Sequence, residues 1–309
     1  MLIFFQEDME DLRMNNINVC LSCDDNYSKY AGVVISSILA NANEDDYLSI
    51  YILDGGISEE HKKQIETLKS IKDCNIEFVS VNPDMFEEYA KIKTHKYITL
   101  PTYYRLKLPT LIAVDKIIYL DCDIIVNSSL SNLFNTDLGT NLVAGAKDLN
   151  KRELKKNPTY VNAGMLIFNL KEMRKENTEK AFLNWTKENA DKIKTGDQTI
   201  INMVCQGKIK ILDGAWNVQS SNFTNRSSYT NNPKIIHFVC KNKPWKKNCF
   251  SYHKNLYFKY LQLTPWKLDN KELKQALKPT LFEYVKYRPL FLLRPRFYVA
   301  FFKTYFCKK

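Results

Sequence analysis

Apolar residues along this chain gather into short runs closed by polar ones. INVCLSC (17–23) has the pattern of a buried strand and is followed by DDNY; YAGVVISSIL (30–39) reads as a buried helix. LSIYILD (48–54) is a second strand, ending in Asp-Gly-Gly. Ser58 then opens SEEHKKQIETLKS, whose first-turn acids suit the helix dipole. NIEFVSVN (75–82) is a third strand, TYYRLKLPTLI (102–112) is helical in part, and KIIYLDCDIIV (116–126) is a fourth strand. Strand and helix alternating at this spacing predict an α/β fold with a mixed, mainly parallel sheet and helices on both faces.

Beyond residue 140 the rhythm changes. LVAGAKD (142–148) and NAGMLIFNL (162–170) are strand-like, and the polar KRELKKNPTY (151–160) between them is expected as a mobile loop. KEMRKENTEKAFLNWTKENADKI (171–193) reads as one charged surface helix, and DQTIINMVCQG (197–207) as a helix ending in glycine. IKILDGAWNVQ (209–219) and KIIHFV (234–239) are strand-like. No repeat or low-complexity linker interrupts this series, so residues 17–265 form one domain. Residues 1–16 precede it as an extension with no assigned role, and 266–309 follow it as a tail with helical character.

Composition changes the picture in two ways. An apolar fraction of 45 % over 309 residues supports a real core and excludes global disorder. Of the net charge of +11, +7 lies in residues 278–309, leaving +4 for all the rest. A nearly balanced body with a basic end fits surface docking, not a nucleic-acid-binding domain. Eight cysteines make no dense framework at this length, and the Cys20-Cys23 pair sits in an apolar strand with no second pair to complete a zinc site, so a reducing cytoplasm is expected. LIFF near the N-terminus is too short for a leader, and no stretch is long and apolar enough for a membrane span.

Ligands of open α/β sheets sit beyond the carboxyl ends of the strands. Asp24, Asp25, Asp54, Asp121 and Asp123 fall there, yet no Gly-rich phosphate loop does. Asp121 and Asp123 alternate with Cys122, so on a strand both carboxylates face one way. They are either turn residues or hard-oxygen ligands for Mn²⁺ or Mg²⁺, and such an ion would replace the missing loop by bridging a diphosphate. His237 after IIHFV is either a structural residue or a third ligand, and Lys243 is placed to reach a phosphate. Asn-Ala-Gly at 162–164 offers an amide and a close backbone to sugar hydroxyls, or is a plain turn; Asp197 is a helix cap or a sugar contact.

Taken together, DDNY (24–27), LDGGISEEHKKQI (53–65), TYYRLKLP (102–109), YLDCDIIV (119–126), LFNTDL (133–138), NAGMLIFNL, DQTIIN (197–202), WNVQ (216–219) and HFVCKNKPW (237–245) occur in an order that resembles glycosyltransferase family 8, particularly its bacterial lipooligosaccharide galactosyl- and glucosyltransferases. The resemblance spans about residues 17–265. It implies a GT-A fold and a retaining transfer of galactose or glucose from UDP-galactose or UDP-glucose to a lipid-linked glycan acceptor. It implies Mn²⁺, or Mg²⁺, on Asp121, Asp123 and His237. It implies donor contacts from Ser22, Asp24, Asn26, Tyr27, Arg105, Asp121, Cys122, Asn162, Ala163, Asp197, Cys240 and Lys243. Gln198 falls nearest the anomeric carbon, Asp197 beside it, and Asp148 toward the acceptor, so these three are the catalytic candidates. Family members often carry glycine where Cys240 stands, and glycine there lets a phosphate approach the backbone closely. That departure is the support for a rival reading, a non-catalytic nucleotide-sugar or glycan-binding protein on the same fold.

The tail KPTLFEYVKYRPLFLLRPRFYVAFFKTYFCKK (278–309) mixes ten aromatic residues with its basic ones, and Pro289 and Pro295 interrupt any single long helix. This suits the membrane–water interface, with each basic residue near an anionic leaflet contributing roughly 1 kcal/mol, the alternative being a final helix packed on the catalytic domain with its basic residues solvated. A peripheral position on the inner face of the cytoplasmic membrane is expected, with no nucleic-acid partner. Deleting 279–309 should abolish co-sedimentation with anionic vesicles and leave turnover of a soluble acceptor intact; a truncated chain that still sediments would place the membrane contact elsewhere.

Overall fold

The computed structural model describes residues 15–92, 99–221, 224–225, 232–241, 243–247, 249, 251 and 253–277. Its strands, in chain order, are β1 (Asn15–Cys23), β2 (Asp46–Asp54), β3 (Cys74–Ser80), β4 (Lys116–Leu120), β5 (Ile124–Val126), β6 (Val143–Lys147), β7 (Val161–Asn169), β8 (Ile209–Leu212), β9 (Val218–Ser221), β10 (Thr224–Asn225) and β11 (Ile235–Phe238). The principal helices are α1 (Ser28–Leu39), α2 (Glu59–Glu66), α3 (Lys151–Lys156), α4 (Leu170–Lys175), α5 (Thr178–Glu188), α6 (Asp197–Val204), α7 (Lys254–Leu261) and α8 (Asn270–Leu277). Seven strands form one sheet in the order β3-β2-β1-β4-β7-β6-β8, and a smaller sheet runs β10-β9-β11-β5. In the large sheet only β7 runs against its neighbours, β4 and β6; the other pairs are parallel.

The strands form where the apolar runs predict them because both faces of the sheet are covered. Val19, Leu21, Ile50, Ile52 and Ile118 share one core with α1, while Cys20, Leu53, Ile117 and Tyr119 face the opposite one. Helix α1 is buried almost all round because it also meets the second sheet: Val33 packs with Ile125, Ile236 and Phe238. Its two buried serines find partners there, Ser37 Oγ accepting from Val126 N at 3.0 Å and Ser36 Oγ donating to Tyr260 O at 3.1 Å. Helix α2 is capped as expected, Ser58 Oγ accepting from His61 N at 3.3 Å.

Four expectations are corrected. Residues 116–126 are two strands in different sheets: Asp121 N donates to Gly164 O at 2.8 Å, the chain turns, and Phe238 N then donates to Asp123 O at 2.9 Å as β5 joins β11. Residues 151–156 are helical, with Asn150 Oδ1 accepting from Arg152 N at 3.1 Å as the cap. The single helix expected over 171–193 breaks between α4 and α5 at Asn177, whose φ of 53° is left-handed and tolerated by asparagine. Residues 209–219 are not one strand; β8 ends, Asp213 caps a turn over Gly214–Asn217, and β9 starts in the smaller sheet.

Part of the segment expected as a tail lies on the body. A Cβ on Gly32 would meet the Trp266 ring at 2.4 Å, and Leu268, Leu273 and Leu277 pack against the core shared by α7 and the small sheet. The basic, aromatic stretch 278–309 and residues 1–14 lie outside the described residues. No helix among the described residues is long and apolar enough to cross a membrane.

His253, buried just before α7, has its pKa pushed down by burial from the usual 6.5 to about 4. Between those values the unfolded chain binds a proton that the folded chain does not, so stability present above the window is lost as pH falls through it. In urea titrations from pH 7 to pH 4 this group should cost roughly 3 kcal/mol, and His253→Gln should lessen the pH dependence by about that amount. An unchanged slope in the variant would show that this histidine titrates normally.

Candidate functional site

The chain passes from the large sheet to the small one twice, from β4 to β5 and from β8 to β9, and the candidate site lies at those crossings. The first supplies Asp121 and Asp123, and β11, alongside β9 and β5, supplies His237. One ligand atom from each of the three lies within 4.8 Å of the others. His237 Nε2 stands 3.2 Å from Asp123 Oδ1 and 4.0 Å from Asp121 Oδ2. Asp123 Oδ1 is buried with no hydrogen-bond partner, which is the condition of an oxygen whose lone pairs are reserved for a cation. Two carboxylates and an imidazole fit a divalent ion such as Mn²⁺ or Mg²⁺.

Two basic side chains balance the acids. Lys243 Nζ donates to Asp123 Oδ2 and, at 2.7 Å, to Phe238 O. Burial pushes the Asp123 pKa up, but the Lys243 ammonium and the His237 ring outweigh that and hold the carboxyl well below the usual range. Arg105 is only 2 % exposed. It donates to Asp121 Oδ1 and to Ala163 O, both at 2.5 Å, lies 3.9 Å from the centre of the Tyr119 ring, and pairs with Asp197 Oδ2 at 3.1 Å. Asp197 is buried at the start of α6; burial raises its pKa to about 7, with Arg105 opposing and Asp121 reinforcing the rise.

A run of amides leads away from the ion pair. His237 Nδ1 lies 3.2 Å from Asn217 Oδ1, and Asn217 Nδ2 donates to Asn162 Oδ1 at 3.0 Å. Asn162 Nδ2 donates to Asp148 Oδ2 at 3.0 Å and Gln198 Oε1 at 3.2 Å, and Gln198 Nε2 donates to the same Asp148 oxygen at 3.1 Å. Asn202 pins α6 to β7, its side chain both accepting from Val161 N and donating to Val161 O.

The structure thus gathers Arg105, Asp121, Asp123, Asp148, Asn162, Ala163, Asp197, Gln198, His237 and Lys243 into one connected set. Ser22 and Cys122 meet beside it, Cys122 Sγ donating to Ser22 O at 3.3 Å, while the Ser22 hydroxyl is committed to Pro101 O at 2.8 Å. Asp24 accepts from Tyr27 N at 3.1 Å, and Asn26 and Tyr27 are exposed on the loop after β1. Cys240 is exposed with a φ of 70°, so it keeps a left-handed backbone at a strain of roughly 1 kcal/mol. Asp25 and Asp54 are committed elsewhere: Asp25 accepts from Ser58 N and meets His61 Nδ1 at 2.6 Å at the start of α2, and Asp54 accepts from Gly56 N and Ile57 N in its own turn.

Two residues contribute in ways the sequence did not indicate. Asn217 lies in WNVQ, and only its contacts reveal its part. Gly164 ends the Asn-Ala-Gly string, and a Cβ there would meet His237 Cε1 at 2.1 Å, so the imidazole lies flat against β7 where no side chain intervenes.

Comparison with known proteins gives a consistent result. The model described as Glycosyl transferase family 8 matches residues 18–249. General stress protein A of Bacillus subtilis (strain 168) is 30 % identical over 279 residues, covering 82 % of this chain and 96 % of its own length. Glycosyltransferase GlyF of Streptococcus pneumoniae is 25 % identical over 252 residues, covering 80 % of this chain and 61 % of its own. The solved structure of the galactosyltransferase LgtC in complex with donor and acceptor sugar analogs superposes with a TM-score of 0.72 at 28 % identity, over 84 % of this chain and 100 % of that one. The fold is therefore GT-A, as expected.

Gly164→Ala should displace the His237 ring and weaken Mn²⁺ binding, read by calorimetry, by about tenfold or more. Affinity equal to wild type would show that the imidazole is not held at this place.

Proposed function

The chain belongs to glycosyltransferase family 8, and from that premise we propose that it transfers galactose or glucose from a UDP-sugar to a cell-surface glycan, with retention of configuration. The observation that carries this reading is the convergence of Asp121, Asp123 and His237 beside Lys243. Bound there, Mn²⁺ or Mg²⁺ would supply Lewis-acid stabilisation to the departing diphosphate. Lys243 adds a positive charge at the same place, and Arg105 fixes Asp121 and Asp197 from the buried side.

Retention needs either a nucleophile under the sugar or attack from the leaving-group face. Gln198 is a neutral amide, and both acceptor directions of its oxygen are taken, by Ala163 N at 3.1 Å and Asn162 Nδ2 at 3.2 Å. Asp197 is 4 % exposed and paired with Arg105. Neither is free to form a covalent intermediate, so we favour front-face attack by the acceptor hydroxyl, its proton passing to the leaving diphosphate. Gln198 and Asp148, braced by Asn162, would then position the donor hexose and the acceptor. The acceptor in this reading is a lipooligosaccharide or lipopolysaccharide precursor at the inner membrane face, reached through residues 278–309.

UDP release should be seen from one hexose donor in a UDP-sugar panel, in the presence of a glycan acceptor mixture, and should stop on chelation. Asp123→Asn should lower turnover about 100-fold or more, whereas Gln198→Ala should keep a measurable fraction. Equal losses in the two variants would count against front-face attack with a positioning Gln198.

A further inference from the structure

A histidine that binds a cation through Nε2 must carry its proton on Nδ1, and a hydrogen-bond partner usually enforces that choice. Here the choice is traceable to a backbone group. Gly164 N donates to Asn162 Oδ1 at 3.1 Å, and a backbone N–H cannot be anything but a donor, so the atom it meets on Asn162 is the oxygen. The Asn217 atom facing that oxygen at 3.0 Å must then be the amide nitrogen. This turns the Asn217 oxygen toward His237, where an acceptor requires an N–H on Nδ1. Nε2 then faces Asp123 Oδ1, 3.2 Å away, and is the ring atom left to a cation bound between them.

The same logic fixes the other branch. Ala163 N donates to Gln198 Oε1 at 3.1 Å, so the Gln198 amide nitrogen faces Asp148. Two consecutive backbone N–H groups of β7 therefore orient the amides on both sides of Asn162, one toward the cation ligands and the other toward Asp148. Asn217 is 3 % exposed and His237 5 %, so water does not offer either an easy substitute partner.

We propose that Asn217 is a positioning residue that sets the tautomer and ring orientation of His237, and so the cation affinity of the proposed Asp121, Asp123 and His237 site. The cation half of this rests on the metal reading above; the tautomer half does not.

The test uses the full chain without metal, with His237 assigned in long-range proton–nitrogen NMR spectra at pH 8 by its loss in His237→Gln, followed by Mn²⁺ calorimetry. The wild type should carry the proton on Nδ1. Asn217→Ala should lose that preference and bind Mn²⁺ about 10–100-fold more weakly. Asn217→Asp still accepts from Nδ1–H, though it cannot donate to Asn162 Oδ1, and should restore the tautomer, which a purely packing role for Asn217 would not do. A wild-type proton on Nε2, or Asn217→Ala and Asn217→Asp both binding Mn²⁺ like wild type with an unchanged tautomer, would overturn the inference. A wild type with Nδ1–H and no Mn²⁺ affinity would remove the metal reading and the cation half, and leave the tautomer assignment supported.

Discussion

Two carboxylates separated by one residue cannot sit at the closed end of a sheet without positive charge beside them. The desolvation cost of such groups is several kcal/mol each unless paired, and here both are paired from opposite sides. Arg105 reaches Asp121 from the interior and also holds Ala163 O and Asp197; Lys243 reaches Asp123 from the loop after β11. One oxygen of Asp123 is still left with no hydrogen bond, next to the His237 nitrogen. The site is thus charge-compensated as it stands and retains lone pairs for one more cation.

The fold creates this arrangement by changing sheets. Had β4 continued as one strand through residue 126, Asp121 and Asp123 would lie along a sheet face. Instead Gly164 O takes the Asp121 N–H, the chain turns, and both aspartates sit between two sheets whose strands β7 and β11 bring Asn162, Ala163 and His237. The second crossing in the same direction, from β8 to β9, inserts Asn217 between His237 and Asn162. Strand β7 contributes three successive positions with three different tasks: Asn162 through its side chain, Ala163 through its N–H and C=O, and Gly164 through its N–H, its C=O and its lack of a Cβ.

Much of this was legible in the sequence. The runs 17–23 and 48–54 are strands because both faces are buried, which makes them nearly continuous in apolar residues, whereas 75–82 contains the edge strand β3, in which buried Ile76 alternates with exposed Asn75 and Glu77. The acidic pair, His237, Lys243, Asp148, Asn162, Ala163, Asp197 and Gln198 were identifiable through the resemblance, and the structure brings them together. The split of 116–126 was not visible, because IIYL and IIV read as one apolar stretch whichever sheet they join. Helix α3 was hidden by its polarity: none of its residues is buried, so no apolar period marks it. Asp25 and Asp54 look like site acids in the sequence, yet Asp25 is spent on the start of α2 and Asp54 on its own turn, a distinction only the folded backbone makes. The role of Asn217 depends on amide contacts 20 and 55 residues away in the chain, for which a linear pattern has no signature.

The central claim is that the acidic pair and His237 hold a cation for a nucleoside diphosphate. The most direct test is calorimetric titration of UDP into the full chain with Mn²⁺ and with EDTA. If the cation bridges protein and diphosphate, Mn²⁺ should tighten UDP binding by about 5–150-fold, and UDP should tighten Mn²⁺ binding by the same factor. Equal UDP affinity in Mn²⁺ and EDTA would contradict the account.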